Sequence, residues 1–191
     1  MRPEFEWLIF VPLTGTKISP VKRSAMMDAP NHDSDFFEWT QQQSAALRSR
    51  PLDCSELDTD KLAEEIEGMG LEQIRKTSSF LVQMLVHLLK LHLDPNAPSA
   101  QHWFEEVLRF QAEAVLACSP GIKQRLDLVK IWKLAKKGAT SKLAQHEVAV
   151  PDLPPECPLS LDEMLDIDFD PNKALQAIAA AVNASTSKLG R

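Results

Sequence analysis

The chain has 191 residues, 44% of them hydrophobic and 25% charged, which suits one domain with tails and excludes a wholly disordered polypeptide. Its net charge of −6 argues against a nucleic-acid binder over the whole surface, while leaving room for a local basic patch. Thirteen prolines, no tyrosine and few β-branched residues leave little material for strands, so helices are expected.

Residues 1–32 carry Pro3, Pro12, Pro20 and Pro30 without a helical period, and read as an irregular tail. The run Trp7-Leu8-Ile9-Phe10-Val11 is too short for a signal-peptide core and follows Glu4 and Glu6 where positive charge is expected. Met26 and Met27 stand just before the first good helical pattern, so either is an alternative start. A helical bundle is expected over 33–147, a C-terminal arm with short helices over 148–184, and a frayed end over 185–191.

The first helix is predicted over 35–49, with Ser34 as N-cap, Asp35 and Glu38 in its first turn, and a core stripe of Phe36, Trp39, Thr40 and Leu47. Pro51 ends it. The second begins near Thr59 or Asp60, and Leu62, Ile66 and Met69 recur at amphipathic spacing. Gly68 and Gly70 together cost about 2 kcal/mol against alanine, so a kink or a stop is expected there. The pattern resumes through Leu71, Ile74, Ser78, Leu81, Leu85 and Leu88. Residues 80–93 are apolar nearly all round, yet contain Gln83, His87, Lys90 and His92 and fall short of the roughly 20 cleaner residues of a membrane span. Such a stretch belongs at the centre of a bundle or in an oligomer interface. Asp94-Pro95 ends it.

A third helix is predicted after Ser99 to about Cys118, burying Phe104, Val107, Leu108, Val115 and Cys118. Ser119-Pro120 caps a fourth over 121–137, with Ile122, Leu126, Val129, Trp132 (or Lys133) and Leu134 as its apolar set and Gly138 as its C-cap. A short helical piece over 140–146 follows. Pro151, Pro154, Pro155 and Pro158 make an extended arm; Ser160-Leu161-Asp162-Glu163 fits a capping box opening a short helix to about Leu165. Asp170-Pro171 starts a last helix over 172–183. The fold class is all-α: an antiparallel helical bundle of about four main helices with a C-terminal arm and short extra helices.

The string Leu62-Ala63-Glu64-Glu65-Ile66-Glu67-Gly68-Met69-Gly70 resembles the signature of the bacterial "domain of unknown function 29" family. So do Asp35-Phe36-Phe37-Glu38-Trp39, Leu85-Val86-His87-Leu88-Leu89-Lys90, Cys157-Pro158-Leu159-Ser160-Leu161-Asp162 and Leu165-Asp166-Ile167-Asp168-Phe169. The similarity covers about residues 33–171, and Gly68 departs from the pattern, which carries an acid there. The resemblance implies a compact all-helical bacterial domain and implies no activity.

Three constellations carry candidate chemistry. Glu65 and Glu72 share one helix face and Glu64 and Glu67 another; paired carboxylates could hold a divalent metal or act as acid and base, and the alternative is a solvated face. His92, His102 and Glu106 approach one another if the helices flanking the short 94–99 connection are antiparallel neighbours, giving the His₂-carboxylate set that zinc or iron accept. His87, amid leucines, reads instead as a core histidine. Residues 120–143 hold seven bases against one acid, Asp127. There Lys123, Lys130, Lys133 and Lys137 form a stripe beside Trp132 that could contact phosphates. The alternative is that residues 152–170, with seven acids and no base, fold over that helix and pair with it, or that the stripe is simply solvated.

No HExxH, GxSxG, CxxC, Glu-x-x-His or nucleotide-binding glycine loop is present, and no cofactor is expected. Cys54, Cys118 and Cys157 read as small apolar filler in a reducing cytoplasm. The leading expectation is a non-catalytic cytoplasmic protein-interaction module, with residues 80–93 as a candidate surface for self-association and no membrane contact. The alternatives are a nucleic-acid-associated factor using the basic helix 121–142 and a metal-dependent enzyme using the His and Glu residues of the bundle.

Overall fold

The computed structural model describes residues 32–49, 57–145, 150 and 152–189. The tail over 1–31 with Met26 and Met27, and Cys54, lie outside them. Among the described residues there are seven helices and no strand: α1 (Phe36–Ser49), α2 (Thr59–Leu93), α3 (Ala100–Ala117), α4 (Pro120–Arg125), α5 (Leu128–Ala144), α6 (Leu161–Met164) and α7 (Pro171–Leu189). None of these helices is long and apolar enough to cross a membrane.

Helix α2 is the axis of the molecule. It runs unbroken for 35 residues, about 52 Å at 1.5 Å per residue. Helices α1, α3, α5 and α7 all pack on it. Leu81 and Met84 to Leu91 are buried, so the middle of the apolar run is covered within one chain, while Phe80, Val82 and Leu93 are half-buried. That removes the reason to expect self-association through it.

The expected break at the glycines does not occur. Gly68 faces open space, whereas Gly70 is buried where α1 crosses. A Cβ on Gly70 would lie 2.2 Å from Thr40 Oγ1 and 3.1 Å from Phe37 Cδ2, so this glycine permits a close helix crossing. Gly138, expected as a C-cap, does the same inside α5, where a Cβ would lie 3.0 Å from Val86 Cγ2 on α2. The expected short piece over 140–146 is therefore the end of α5, as far as Ala144.

The predicted fourth helix is two. Leu126 adopts an extended conformation, and Asp127 caps α5 by accepting the Lys130 N–H at 2.9 Å. Breaking the helix there rotates the frame of α5. Ile131, Trp132, Ala135, Ala139 and Leu143 face the core, while the expected Val129 and Leu134 are exposed. Smaller rotations occur elsewhere. Helix α1 buries Phe37, Thr40 and Ser44, leaving Phe36 and Trp39 half-buried and stacked on each other. Helix α3 buries Trp103, Val107, Gln111 and Ala114, and Leu108 is exposed. Gln111 is tolerated inside because its amide donates to the Asp166 carbonyl at 2.7 Å.

The N-cap of α1 is Asp35, not Ser34. Its Oδ1 accepts the Glu38 N–H at 3.1 Å. The same carboxylate reaches the start of α4, accepting the Ser119 hydroxyl and the Gly121 N–H, both at 2.8 Å. One side chain therefore clamps α1 to α4. Burial alone would raise its pKa, but these hydrogen bonds and one from the Phe37 N–H together hold it below the ordinary value.

The Pro-rich arm is packed. The Pro154 carbonyl accepts from Trp132 Nε1 and Lys136 Nζ, both at 2.9 Å. The capping box of Ser160 and Glu163 forms as expected and opens α6. Asp170 starts α7, which continues to Leu189 rather than ending near 183, so the frayed end expected from 185 is helical to that point.

Candidate functional site

The acidic string occupies one exposed stretch of α2. Glu64, Glu65 and Glu72 face solvent. Glu72 pairs with Arg75 at 3.2 Å, and Glu67 reaches Arg48 at 2.6 Å, tying α2 to α1. Glu65 and Glu72 share a face as expected, but no third ligand joins them. Among the described residues no group of three or more His, Cys, Asp or Glu is placed to hold a metal ion.

The histidines are arranged differently from the expectation. The charges of His102 and Glu106 on α3 act on His87, while His92 is affected by burial alone. Glu106 is engaged by Arg109, which donates from Nε at 3.1 Å and Nη2 at 2.6 Å. His87 is buried edge-on to Phe110, its ring centroid 5.8 Å away, and its Nδ1 has no hydrogen-bond partner. Burial first, then the charges of Lys90 and Lys142, lower its pKa to about 4, so the imidazole is neutral. Beside it the Lys90 ammonium lies 3.9 Å from the Trp103 ring centroid, a cation–π contact in which burial lowers the lysine pKa. No catalytic geometry results: the carboxylate is committed to an arginine and the imidazole is enclosed.

The basic stripe is divided by the α4–α5 break. Lys123, on α4, forms an ion pair with Asp162 of the arm, as the pairing alternative expected. Lys130, Lys133 and Lys137 remain exposed on α5. Lys136 points the other way, to Pro154.

What the structure adds is a cleft between α2 and α5, about 420 Å³ in volume. From α2, Ile74, Ser78 and Val82 recur every four residues along it, with Arg75 and Ser79 beside them. From the other wall come Arg125 at the end of α4 and Lys130, Ile131 and Leu134 on α5. The floor is apolar and the rim carries three cations. Asp127, the acid in the lining, already accepts the Lys130 N–H as the cap of α5. Arg125 also lies 5.9 Å from the Phe37 ring centroid, which holds its guanidinium near the α1 end of the cleft. Sequence reasoning found Lys130 and missed the rest, because a continuous helix over 121–137 places Ile131 away from the core and from this wall. The residue that carried the missing signal is Asp127, a helix-capping type in mid-helix.

The family model described as "Domain of unknown function DUF29" matches residues 32–170. Among solved structures, the chain is similar to an alpha-helical protein of unknown function from Rhodospirillum rubrum, at 32% identity and a TM-score of 0.72. That match covers 77% of this chain and 96% of the other. No curated protein matches.

Proposed function

The chain belongs to the DUF29 family of domains of unknown function, and from that premise we propose that it is a non-catalytic interaction module that receives a protein partner in the cleft between α2 and α5. The cleft carries this reading. It brings apolar side chains and cations together around about 420 Å³ of open space. The polar groups that would serve catalysis are engaged structurally: Glu67 by Arg48, Glu72 by Arg75, and Glu106 by Arg109. The free thiols Cys118 and Cys157 support a reducing cytoplasm as its compartment; burial raises the pKa of both, which favours inert packing over reactivity.

A second reading is favoured by one observation: Lys130, Lys133 and Lys137 are exposed together on α5, a spacing that suits phosphates. One experiment separates the two. A photo-crosslinking amino acid is placed at Leu134, on the cleft rim, or at Leu108, exposed on α3, and irradiated in the native host. We expect a discrete protein adduct from position 134 and none from 108. An adduct removed by nuclease transfers the function to the lysine stripe, and the absence of any adduct from 134 overturns the module.

A further inference from the structure

We propose that the occupant of the α2–α5 cleft is an acidic amphipathic helix of the partner, lying along the groove with its apolar stripe down and its acids toward the rim. The inference rests on the interaction-module reading and specifies its ligand. Three features of the cleft carry it.

The first is its direction. Both walls are helices, and their lining residues repeat with helical period: Ile74, Ser78 and Val82 on one, Asp127, Ile131 and Leu134 on the other. A groove between two helix faces accepts a third helix by ridge-into-groove packing, as helix-binding grooves do. The second is its length. Ile74 to Val82 spans about 12 Å along α2, and anchors at i, i+4 and i+7 of a guest helix span about 10 Å. Two turns of a guest therefore match the apolar floor.

The third is the sign and placement of charge. Arg125 and Lys130 stand on the α4–α5 wall, while Arg75 on the α2 wall is paired with Glu72 at 3.2 Å. Cations on that wall select a guest with acids on the flank of its apolar stripe that faces Arg125 and Lys130. The whole chain carries a net charge of −6, against which this cationic wall stands out locally. That contrast directs an acidic helix to this cleft and orients it. An extended polyanion has no use for the apolar floor and would be read by Lys133 and Lys137 as much as by the rim.

The test is to pan a phage library of 16-residue amphipathic helices, randomised at the apolar and flanking positions, on the intact immobilised chain. Recovered peptides are then titrated by fluorescence anisotropy. We expect helices with Leu, Met or Phe on one face and Asp or Glu on the flank that meets Arg125 and Lys130. Arg125→Glu and Lys130→Glu should each weaken binding at least tenfold. Lys137→Glu, the same charge change on an exposed α5 residue outside the cleft, should alter it by less than twofold. Circular dichroism confirms that the variants, all at exposed positions, keep their helices. Recovery without an acidic flank, equal weakening by all three variants, or binding indifferent to them overturns the proposal. A protein adduct from position 134 together with failed panning leaves the module standing and removes the acidic helix; no adduct removes both.

Discussion

His87 on α2 meets the Phe110 ring of α3 edge-on, their centroids 5.8 Å apart. It is a core histidine, as its leucine neighbours imply, but its Nδ1 is buried without a partner. Its pKa of about 4 in the fold lies below the ordinary 6.5. Above pH 6.5 both folded and unfolded chains hold it neutral, and its contribution to stability is fully present. As the pH falls, the unfolded chain takes a proton that the folded chain refuses until about pH 4. Stability should therefore decline across that window by up to about 1.4 kcal/mol per pH unit. Urea unfolding at pH 7, 6, 5 and 4.5 should show this decline in the wild type and a shallower one in His87→Leu. His92, held low by burial, and at the acid end Asp35, Glu106 and Glu163, whose carboxyl pKa values hydrogen bonds lower in the fold, supply the residual slope. Equal slopes in the two proteins would show that His87 is solvated.

At the scale of elements, the helices are set by how closely they approach. Gly68 and Gly70 look alike in sequence and are opposites in space: one meets nothing, the other meets Thr40 and Phe37. Gly68→Ala should stabilise the protein by about 0.5–1 kcal/mol through helix propensity. Gly70→Ala gains the same propensity but forces α1 away from α2, and should destabilise by about 1–3 kcal/mol net. Thermal denaturation of the pair checks the contrast, and alanines of the same sign at both positions would refute the close crossing. The helix class, the number of main helices and the cap chemistry of Asp127, Ser119 and Ser160 are all local properties, and most of these were legible in the residues. Which glycine marks a crossing is not local, because it depends on a helix packed from elsewhere in the chain. The cleft escaped for a related reason: the Leu126–Asp127 break turns α5 so that Ile131 faces inward and Val129 outward.

At the scale of the whole molecule, the C-terminal arm closes over α3, α4 and α5 through Gln111, Lys123, Trp132 and Lys136. The acids of the arm had suggested broad neutralisation of the basic helix. Among the described residues one ion pair between them, Lys123 with Asp162, is formed, and exposed pairs of this kind contribute under about 1 kcal/mol. Backbone carbonyls of the arm, invisible to charge counting, do the rest. The basic rim of the cleft is left open because the arm crosses elsewhere on α5, at Trp132 and Lys136.

The Asp35 clamp joins residues 86 positions apart in the chain. Bringing such distant points together carries a loop-closure entropy of about 4 kcal/mol, so a contact of this kind is favoured only after the intervening helices have docked. The clamp should therefore be absent from the folding transition state and act as a latch on the finished bundle. Gly121→Ala would place a Cβ 2.8 Å from Asp35 Oδ2 and prise the latch open. In stopped-flow chevrons it should speed unfolding several-fold and leave the refolding arm unchanged. Slower refolding would mean that α1 and α4 meet early. A latch that forms last also bears on lifetime: whatever it contributes to stability is lost before the unfolding transition state, so it lengthens the life of the native state by that amount without altering how fast the bundle forms.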